Sequence, residues 1–247
     1  MTQQGVRTRE TGGAARGPGG PGDAYETRHL ELLKEAAALI ARGGFHKTSI
    51  RDLARATGRS LSGLYYYFTS KEELLFQIQY HCYTTLLAAA RRVVRRDATP
   101  HDRLVAFISH HISYFRHNMD EMKVLAHEDL TLGGPRGRRI LELKRAYSRL
   151  LIDLVTDYQA GMRRRPPRTP PDLAAFILFG MMNWMYTWPR QLRSRPAEEL
   201  AAAVAEIFVC GFPGCPAASR NQMRKSIICP AGVFWPGAMA GETGAGE

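Results

Sequence analysis

The sequence lacks the features that most extracellular, zinc-binding or membrane-spanning proteins need. Its 247 residues include only four cysteines, Cys82, Cys210, Cys215 and Cys229, and no two of them have the CxxC spacing. A disulfide framework or a zinc finger is therefore poorly supported, and reduced thiols in a cytosol are the better interpretation. No apolar run approaches the roughly 20 residues that cross a bilayer, and the N-terminus has no apolar signal segment. These absences predict a cytoplasmic protein that makes no use of a membrane.

The sequence also lacks the signatures of catalysis and of β-structure. Alternating β-branched residues, solenoid repeats, nucleophile elbows, P-loops and Rossmann fingerprints are all missing. No nucleophile or acid–base pair stands out, which argues against an enzyme and against a cofactor. Adjacent His110 and His111 face different sides of a helix, and His117 lies two turns from His110. This spacing does not suit a metal site.

Lysine is scarce, whereas arginine is abundant. The chain has 6 Lys and 28 Arg, and its formal net charge is +11. A charge of this size favours polyanionic partners such as nucleic acid, anionic lipid or phosphorylated ligands. Composition alone leaves a second interpretation open, in which the many arginines reflect the base content of the genome.

Helical periodicity dominates what the sequence does contain. Apolar residues recur at spacings of three and four across residues 23–212, and no segment among them has the pattern of a strand. The pattern predicts an all-α fold, with three short helices at the front and about six longer ones behind. Residues 1–22 and 213–247 are rich in glycine and have no apolar period. They are predicted to be a disordered arm and a disordered tail.

The three front helices, within residues 23–70, have the arrangement of a DNA-binding module. Ser49 is a good N-cap for the second helix, and Gly58 makes a tight turn into the third, which is helix-turn-helix geometry. The third helix begins with small polar residues that let the backbone approach base edges, and tyrosines that offer hydroxyls to phosphates follow. The predicted DNA-binding residues are Thr48, Ser49, Arg51, Arg59, Ser60, Leu61, Ser62, Gly63, Tyr65, Tyr66, Tyr67 and Lys71.

Some residues of this module have an alternative role in packing. Leu64 and Phe68 have the helical spacing of core residues, and we assign them to the core. Tyr65 and Tyr66 are adjacent, so both cannot face inward, which favours contact with DNA. Leu61 stays open between the core and the groove-facing surface. The alternative of a merely solvated side chain stays open for Arg51 and Arg55.

The run TSIRDLARATGRSLSGLYYYFTSKEELL, residues 48–75, resembles the DNA-binding domain of the TetR family of bacterial repressors. The resemblance covers roughly residues 28–85 and depends on a joint pattern. That pattern comprises Gly44-Phe45, Thr48-Ser49, Leu53-Ala54, Gly58 and Leu64-Tyr65-Tyr66-x-Phe68-x-x-Lys71-Glu72. The family usually has His at the position of Tyr67. The resemblance implies an all-helical homodimer of about nine helices.

The helices behind this module, residues 71–212, are predicted to form a ligand-binding and dimerisation domain. Residues 176–188 combine aromatic, Met and Asn side chains in one helix, which suits the wall of an apolar pocket with a few polar groups. A buried dimer helix is the alternative, and both can hold because a helix has more than one face. Ten cations lie between residues 136 and 168 against three carboxylates. Beside such a pocket they suit an acyl chain joined to a phosphorylated head group, or else they form a solvated face.

Two stretches of the rear domain, residues 134–150 and 178–188, resemble TetR-type regulators of fatty-acid and other acyl-CoA catabolism. In those regulators, acyl-CoA thioesters release the repressor from DNA. The chain departs from them at Pro189, where they often have Tyr. The resemblance implies contacts to an acyl group from Phe107, His111, Phe115, Tyr147, Leu151, Met181 and Trp184. It implies contacts to phosphates from Arg139, Lys144 and Arg145.

Together these features predict a homodimeric transcriptional repressor. Each subunit would place residues 60–66 in the major groove of a pseudo-palindromic, double-stranded operator. A small-molecule effector, an acyl-CoA thioester by resemblance, would bind in the region of residues 100–190 and release the protein from DNA. The alternative is an architectural or nonspecific DNA-binding dimer without an effector, which a specificity ratio near one would favour.

Overall fold

The computed structural model of the protein describes residues 21–95, 97–128, 131–162 and 169–210, and it contains only helical elements within these ranges. The all-α prediction is confirmed. The predicted arm and tail lie outside the described residues, except that Pro21 and Gly22 already belong to the first helix. The helices are α1 (Pro21–Gly43), α2 (Ile50–Thr57), α3 (Leu61–Tyr65), α4 (Lys71–Val93), α5 (Pro100–His117), α6 (Met119–His127), α7 (Gly134–Ala160), α8 (Pro171–Asn183), α9 (Arg190–Arg193) and α10 (Ala197–Cys210). None of these described helices is long and apolar enough to cross a membrane.

Local sequence signals fix the ends of the front helices. The Asp52 backbone N–H donates to Ser49 Oγ at 3.1 Å, and the Ser49 backbone N–H donates to the Asp52 carboxylate at 3.0 Å, which is a complete capping box for α2. Gly58 ends α2 with a φ of 64°, a left-handed conformation that only glycine adopts without strain. Ser60 caps α3 by accepting the Gly63 N–H. Helices α2 and α3 therefore meet in the tight turn that the sequence predicts.

Ser70-Lys-Glu-Glu73 has the S-x-x-E pattern of a capping box, and the start of α4 forms half of that box. Ser70 Oγ accepts the Glu73 backbone N–H at 3.1 Å. The Glu73 carboxylate accepts the backbone N–H of Thr69 at 2.8 Å and also lies 3.7 Å from the Arg136 guanidinium. In a complete capping box the Glu73 carboxylate would accept the backbone N–H of Ser70. Here it binds Thr69 instead, because Thr69 offers both an N–H and a hydroxyl.

Helices α1 to α4 enclose one apolar core. Leu64 and Phe68 are 0% and 2% exposed and belong to this core, as the helical spacing predicts. Val124 of α6 is buried in the same cluster. A helix of the rear domain therefore completes the core of the front domain, which gives the two domains a shared packing unit.

The rear helices pack around a second apolar region, and all contacts described here lie within the compact unit that ends at Ala205. Helix α4 packs against α5 and α7, and α7 packs against α8. Leu104, Phe107 and Ile108 of α5 and Leu151 of α7 are fully buried between these helices. The N-terminal end of α4 borders the helix-turn-helix module, so α4 contacts both the front core and the rear apolar region.

The helix that is predicted to contain residues 176–188 ends earlier than expected. Helix α8 ends at Asn183 and continues as a 3-10 turn over Trp184–Thr187. Pro189 disfavours helical geometry at the residue before it, and Trp188 is extended with a ψ of 152°. The chain restarts as the four-residue α9, so the rear domain has more elements than the six predicted.

Candidate functional site

The outward side of α3 presents side chains that folding does not require. Leu61, Tyr65 and Tyr66 are 41%, 51% and 72% exposed, and the hydroxyl of Ser62 lies 3.0 Å from that of Ser60. Solvent-exposed leucine and tyrosine next to one another, on a short helix with a buried opposite side, are typical of a recognition surface. The structure therefore places Leu61, which the sequence leaves open, on the exposed side of α3.

Aromatic side chains from α1 support the C-terminal end of α3. The ring of Tyr67 stacks on those of Tyr25 and His29, with centroids 5.2 and 5.7 Å apart, and Tyr66 makes an edge contact with Tyr25 at 5.7 Å. The Arg59 guanidinium lies 5.7 Å from the Tyr67 ring centre. Tyr67 is consequently half-buried and fixed in position, whereas Tyr66 beside it faces solvent. Among the other predicted contacts, Arg51 is exposed.

Lys71 is tied to the turn between α1 and α2. Its Nζ donates to the backbone carbonyls of Phe45 and Thr48 at 2.9 and 3.0 Å and lies 4.3 Å from the centre of the Phe45 ring. An ammonium group has three donors, so these two bonds leave one for another acceptor. The structure therefore gives Lys71 a local structural role beside the predicted contact with phosphate.

Glu128, in the loop after α6, holds the same turn from the rear domain. The Phe45 backbone N–H donates to Glu128 Oε1 at 2.9 Å, and the Thr131 hydroxyl donates to Oε2 at 2.8 Å. Gln79 of α4 donates through Nε2 to the Glu128 backbone carbonyl at 3.0 Å. We call Phe45, Lys71 and Glu128 the Phe45 clamp. Glu128 of the rear domain binds the backbone N–H of Phe45, and Lys71 of α4 binds its backbone carbonyl.

A largely apolar cavity of about 200 Å³ lies among α4, α5, α6, α7 and α8, and we call it the central cavity. Phe115, Met122 and Leu125 supply apolar walls, and Lys144 and Asn183 supply polar groups. The remaining lining residues are Tyr83, Leu86, His111, Ala126, Tyr147, Ser148, Phe176 and Phe179. Apolar walls with a few polar groups are the usual composition of a small-molecule site.

Three polar side chains form a connected group at the wall of this cavity. His111 Nδ1 lies 3.0 Å from the Tyr147 hydroxyl, and His111 Nε2 lies 3.0 Å from Asn183 Oδ1. With the Asn183 oxygen facing the ring, Nε2–H donates to Asn183 and Nδ1 accepts from Tyr147. The Asn183 amide N–H groups then remain as donors at the cavity wall. Burial raises the pKa of Tyr147 well above its ordinary value, so the hydroxyl keeps its proton.

The predicted ligand contacts fall into three groups. His111, Phe115, Tyr147 and Lys144 line the central cavity. Phe107 and Leu151 are 0% exposed and form the layer behind the wall, with the Phe107 ring 5.2 Å from that of Tyr147. The remaining four predicted contacts also lie outside the cavity lining: Met181, Trp184, Arg139 and Arg145. Of these, the Arg139 guanidinium lies 3.0 Å from the Glu142 carboxylate and 5.8 Å from the centre of the Tyr80 ring.

Helix α8 has an apolar outer face. Leu173, Phe176 and Ile177 of α8 and Trp184 of the following 3-10 turn are 53%, 59%, 51% and 61% exposed, and they follow the spacing of one helical stripe. Gly180 lies on the same stripe with open space around it. The opposite side of α8 carries the buried Ala174, Ala175, Leu178, Phe179 and Met182. The helix therefore both lines the cavity and presents an exposed apolar stripe, as the two interpretations of residues 176–188 allow.

Sequence reasoning missed Glu128, and it identified Asn183 as a polar group of the pocket wall without identifying its partner. Glu128 meets Phe45 across 83 positions, and no local pattern marks it. Asn183 stood out in the sequence only as a polar side chain in an apolar helix, and its partner His111 lies 72 positions away. Among the described residues, no group of three His, Cys, Asp or Glu side chains could hold a metal ion.

Acid should destabilise the protein through His111. Burial lowers the pKa of this imidazole from 6.5 to about 4. Between these two pH values the unfolded chain binds a proton that the native state excludes. The contribution of neutral His111 to the unfolding free energy is therefore fully present above pH 6.5 and is lost as the pH falls towards 4. We expect His111 to account for about 2 kcal/mol of the fall in unfolding free energy between pH 7 and pH 5.

Urea unfolding at the two pH values measures this effect. Between pH 7 and pH 5, the unfolding free energy of His111→Gln should fall by about 2 kcal/mol less than that of the wild type. His117→Gln, at an exposed position of α5, is the matched control and should fall as the wild type does. An equal fall in His111→Gln and in wild type would show that the native state accommodates the charged imidazole.

The geometry defines a class of proteins: transcription regulators in which a helix-turn-helix module is joined to a larger helical domain. Family models agree with this assignment along the chain. Residues 32–78 match the model "Bacterial regulatory proteins, tetR family", and residues 97–212 match "Tetracyclin repressor-like, C-terminal domain". The chain belongs to the TetR family, whose members are transcription regulators and not enzymes.

Three relatives illustrate the similarity. The HTH-type transcriptional repressor KstR2 of Mycobacterium tuberculosis is 28% identical over 178 residues, which cover 71% of this chain and 86% of KstR2. The regulator PfmR from Thermus thermophilus has a TM-score of 0.65 and 29% identity, over 73% of this chain and 98% of PfmR. AibR, solved with isovaleryl coenzyme A and operator DNA, has a TM-score of 0.64 and 28% identity, over 73% of this chain and 97% of AibR.

Proposed function

We propose that the protein is a homodimeric repressor that binds a pseudo-palindromic operator through α3 and is released when an acyl-CoA thioester occupies the central cavity. One observation carries this proposal. The same chain presents an exposed polar and aromatic recognition helix and an apolar cavity with a buried polar group at its wall. An apolar cavity with a few polar groups is the usual form of a small-molecule site, which favours an effector-responsive repressor over a DNA-binding dimer without an effector.

On the DNA side, α3 supplies the groups that reach base edges. Ser62 offers a hydroxyl and Leu61 an apolar contact for a thymine methyl group, both from the exposed side of the helix. Tyr65 and Tyr66 offer hydroxyls to phosphates, and Arg51 adds an exposed cation. The other predicted contacts, Thr48, Ser49, Arg59, Ser60, Gly63, Tyr67 and Lys71, surround this surface and stay in the proposal.

The apolar face of α8 supports the dimer. Four large apolar side chains in one stripe would stay in water in a single chain, and the same stripe on a second copy would cover them. Gly180 in the middle of the stripe allows two helices to approach closely. Two α3 helices held by such a dimer could read half-sites one helical turn apart, about 34–36 Å.

The size and polarity of the central cavity favour a compact acyl group. Its volume of about 200 Å³ is below the roughly 300–1,000 Å³ of drug-sized sites, so a short or branched acyl chain fits better than a long one. The Asn183 amide can donate to a thioester carbonyl, and Lys144 can face the polar remainder of the ligand. AibR, which is 28% identical, was solved with the short branched isovaleryl coenzyme A.

Release requires that the cavity and the recognition helix affect one another. Met122 and Leu125 line the cavity on α6, while Val124 of the same helix belongs to the core of the front domain. The Phe45 clamp adds a hydrogen bond from the loop that follows α6. A ligand that shifts α6 thus shifts the turn before α2, and linkage makes ligand and operator mutually antagonistic.

Fluorescence anisotropy on the DNA upstream of the gene, at fixed salt, tests the proposal. We expect specific binding that short-chain acyl-CoA thioesters weaken about 5–150-fold. Tyr65→Ala/Tyr66→Ala should fold and bind the thioester but lose specific DNA affinity. Tight binding that no thioester weakens would refute the acyl-CoA effector. Equal affinity for all DNA sequences would instead support an architectural protein.

A further inference from the structure

A second cavity, about 320 Å³ in volume, lies between α4 and the N-terminal end of α7. We call it the α4–α7 cavity. Gln79 of α4 lines one side, and Gly133, Gly134, Gly137 and Arg138 line the other. It is separate from the central cavity and contains none of that cavity's lining residues.

The α7 side of this cavity is the positive end of a 27-residue helix, and the sequence there increases the positive charge. Gly133 is the N-cap and has no side chain to accept an N–H, and no acidic residue lies in the first turn. Three arginines occupy this end instead: Arg136, Arg138 and Arg139. Cations at a helix N-terminus are unfavourable unless an anion binds there, and the free backbone N–H groups and positive dipole of such an end often bind phosphate.

Two of these arginines lie next to carboxylates, and the third lines the cavity. Arg136 lies 3.7 Å from the Glu73 carboxylate, and Arg139 lies 3.0 Å from that of Glu142. Arg138 is exposed and lines the cavity. Gly133 and Gly134 have open space where a Cβ would be, so a ligand can reach the backbone at these two residues.

An independent observation on the α4 side indicates a ligand with a hydrogen-bond donor. Gln79 is 1% exposed, and its Nε2 donates to the Glu128 backbone carbonyl. That bond fixes the orientation of the amide, because a flipped amide would set two oxygens against each other. Gln79 Oε1 is buried and has no hydrogen-bond partner among the residues that the structure describes. A buried acceptor of this kind needs an O–H or N–H to satisfy it.

From these observations we infer that the α4–α7 cavity binds a phosphate ester. The phosphate contacts Arg138 and the N-terminus of α7, and a hydroxyl or N–H of the organic part donates to Gln79 Oε1. A bare anion would satisfy the helix end but would place no organic donor near the amide. The ligand class is therefore a phosphorylated nucleoside or a similar phosphorylated polyol.

The position of the cavity suits the head group of a thioester whose acyl chain lies in the central cavity, and this step rests on the proposed function. Gly137 and Leu141 line the α4–α7 cavity, while Lys144 and Ser148 line the central cavity. Spacings of four, three and four put these residues on one stripe of α7. The distance along the axis from residue 137 to residue 148 is about 16 Å, at 1.5 Å per residue. An extended CoA thioester can bridge this distance.

Calorimetric titration of the whole protein with coenzyme A, adenosine bisphosphate and inorganic phosphate tests the inference. We expect coenzyme A and the bisphosphate to bind, and phosphate alone to bind more weakly. Arg138→Ala should weaken both organic ligands at least about tenfold. Gln79→Met should weaken them several-fold and leave inorganic phosphate unchanged. Arg149→Ala removes an exposed arginine from the same helix outside both cavities, and it should bind as wild type does.

The outcomes separate this inference from the proposed function. If acyl-CoA releases the operator and binds Arg138→Ala as tightly as wild type, the inference fails and the effector proposal stands. If no thioester binds, but adenosine bisphosphate binds and Arg138→Ala abolishes it, the inference stands and the effector proposal fails. If Arg138→Ala weakens operator binding without effector and leaves coenzyme A binding intact, the arginine serves DNA and the inference is overturned.

Discussion

Replacing Ile177 by glutamate should convert the protein to a monomer and lower its operator affinity by about two to four orders of magnitude. Ile177 lies on the exposed apolar stripe of α8, 51% exposed in the single chain. A carboxylate there would be buried without a partner in the dimer, and its loss of hydration opposes association. Each α3 would then bind its half-site alone and lose the advantage of a second, linked contact.

Sedimentation measures the mass, and anisotropy on a full operator and on a half-site measures the affinity. Val93→Glu is the matched control, because Val93 is 40% exposed on α4, outside the stripe. It should stay dimeric and bind the operator as wild type does. The half-site affinity should be the same in both variants. An Ile177→Glu protein that remains dimeric would remove α8 from the interface.

Much of the front domain could be predicted because its signals are local. Ser49 and Asp52 cap α2 within four residues, and Gly58 ends it through its own backbone freedom. The burial of Leu64 follows from a spacing that the third helix alone defines. Such signals depend on neighbours in the chain, so one sequence suffices to find them.

Contacts between side chains that are distant in sequence could not be predicted in the same way. The spacing of α3 suggests exposed tyrosines, but no pattern shows that Lys71 binds two carbonyls of the preceding turn. The same holds for the bond from Phe45 to Glu128 and for the pairing of His111 with Asn183. These contacts form only after helices distant in sequence pack together. Periodicity assigns a side chain to a face, but it does not identify the partner.

Glu128→Ala should uncouple the effector from the operator while leaving both binding sites intact. Glu128 touches neither α3 nor the central cavity lining, yet its carboxylate holds the Phe45 N–H from the rear domain. Without that bond the turn before α2 no longer follows the loop after α6. Operator binding without effector should weaken, because hydrogen bonds to charged groups contribute about 1.5–3 kcal/mol each to the arrangement they hold.

The decisive quantity is the ratio of operator affinities without and with a saturating thioester. We expect this ratio to fall from the wild-type value, about 5–150, to within a few-fold of one in Glu128→Ala. Thioester affinity measured without DNA should stay near the wild-type value, which distinguishes lost coupling from a damaged cavity. Glu128→Gln keeps an oxygen that can accept the Phe45 N–H and should restore most of the ratio.

Glu31→Ala provides the charge-matched control for this experiment. Glu31 is an exposed residue of α1, so its replacement changes the net charge of the protein by the same unit without breaking a contact between the domains. Its ratio should equal that of the wild type, even if its operator affinity rises through weaker repulsion of DNA. A wild-type ratio in Glu128→Ala would leave the shared core around Val124 as the route of coupling. A lowered ratio would instead assign the coupling to a single carboxylate that reaches across 83 positions of the chain.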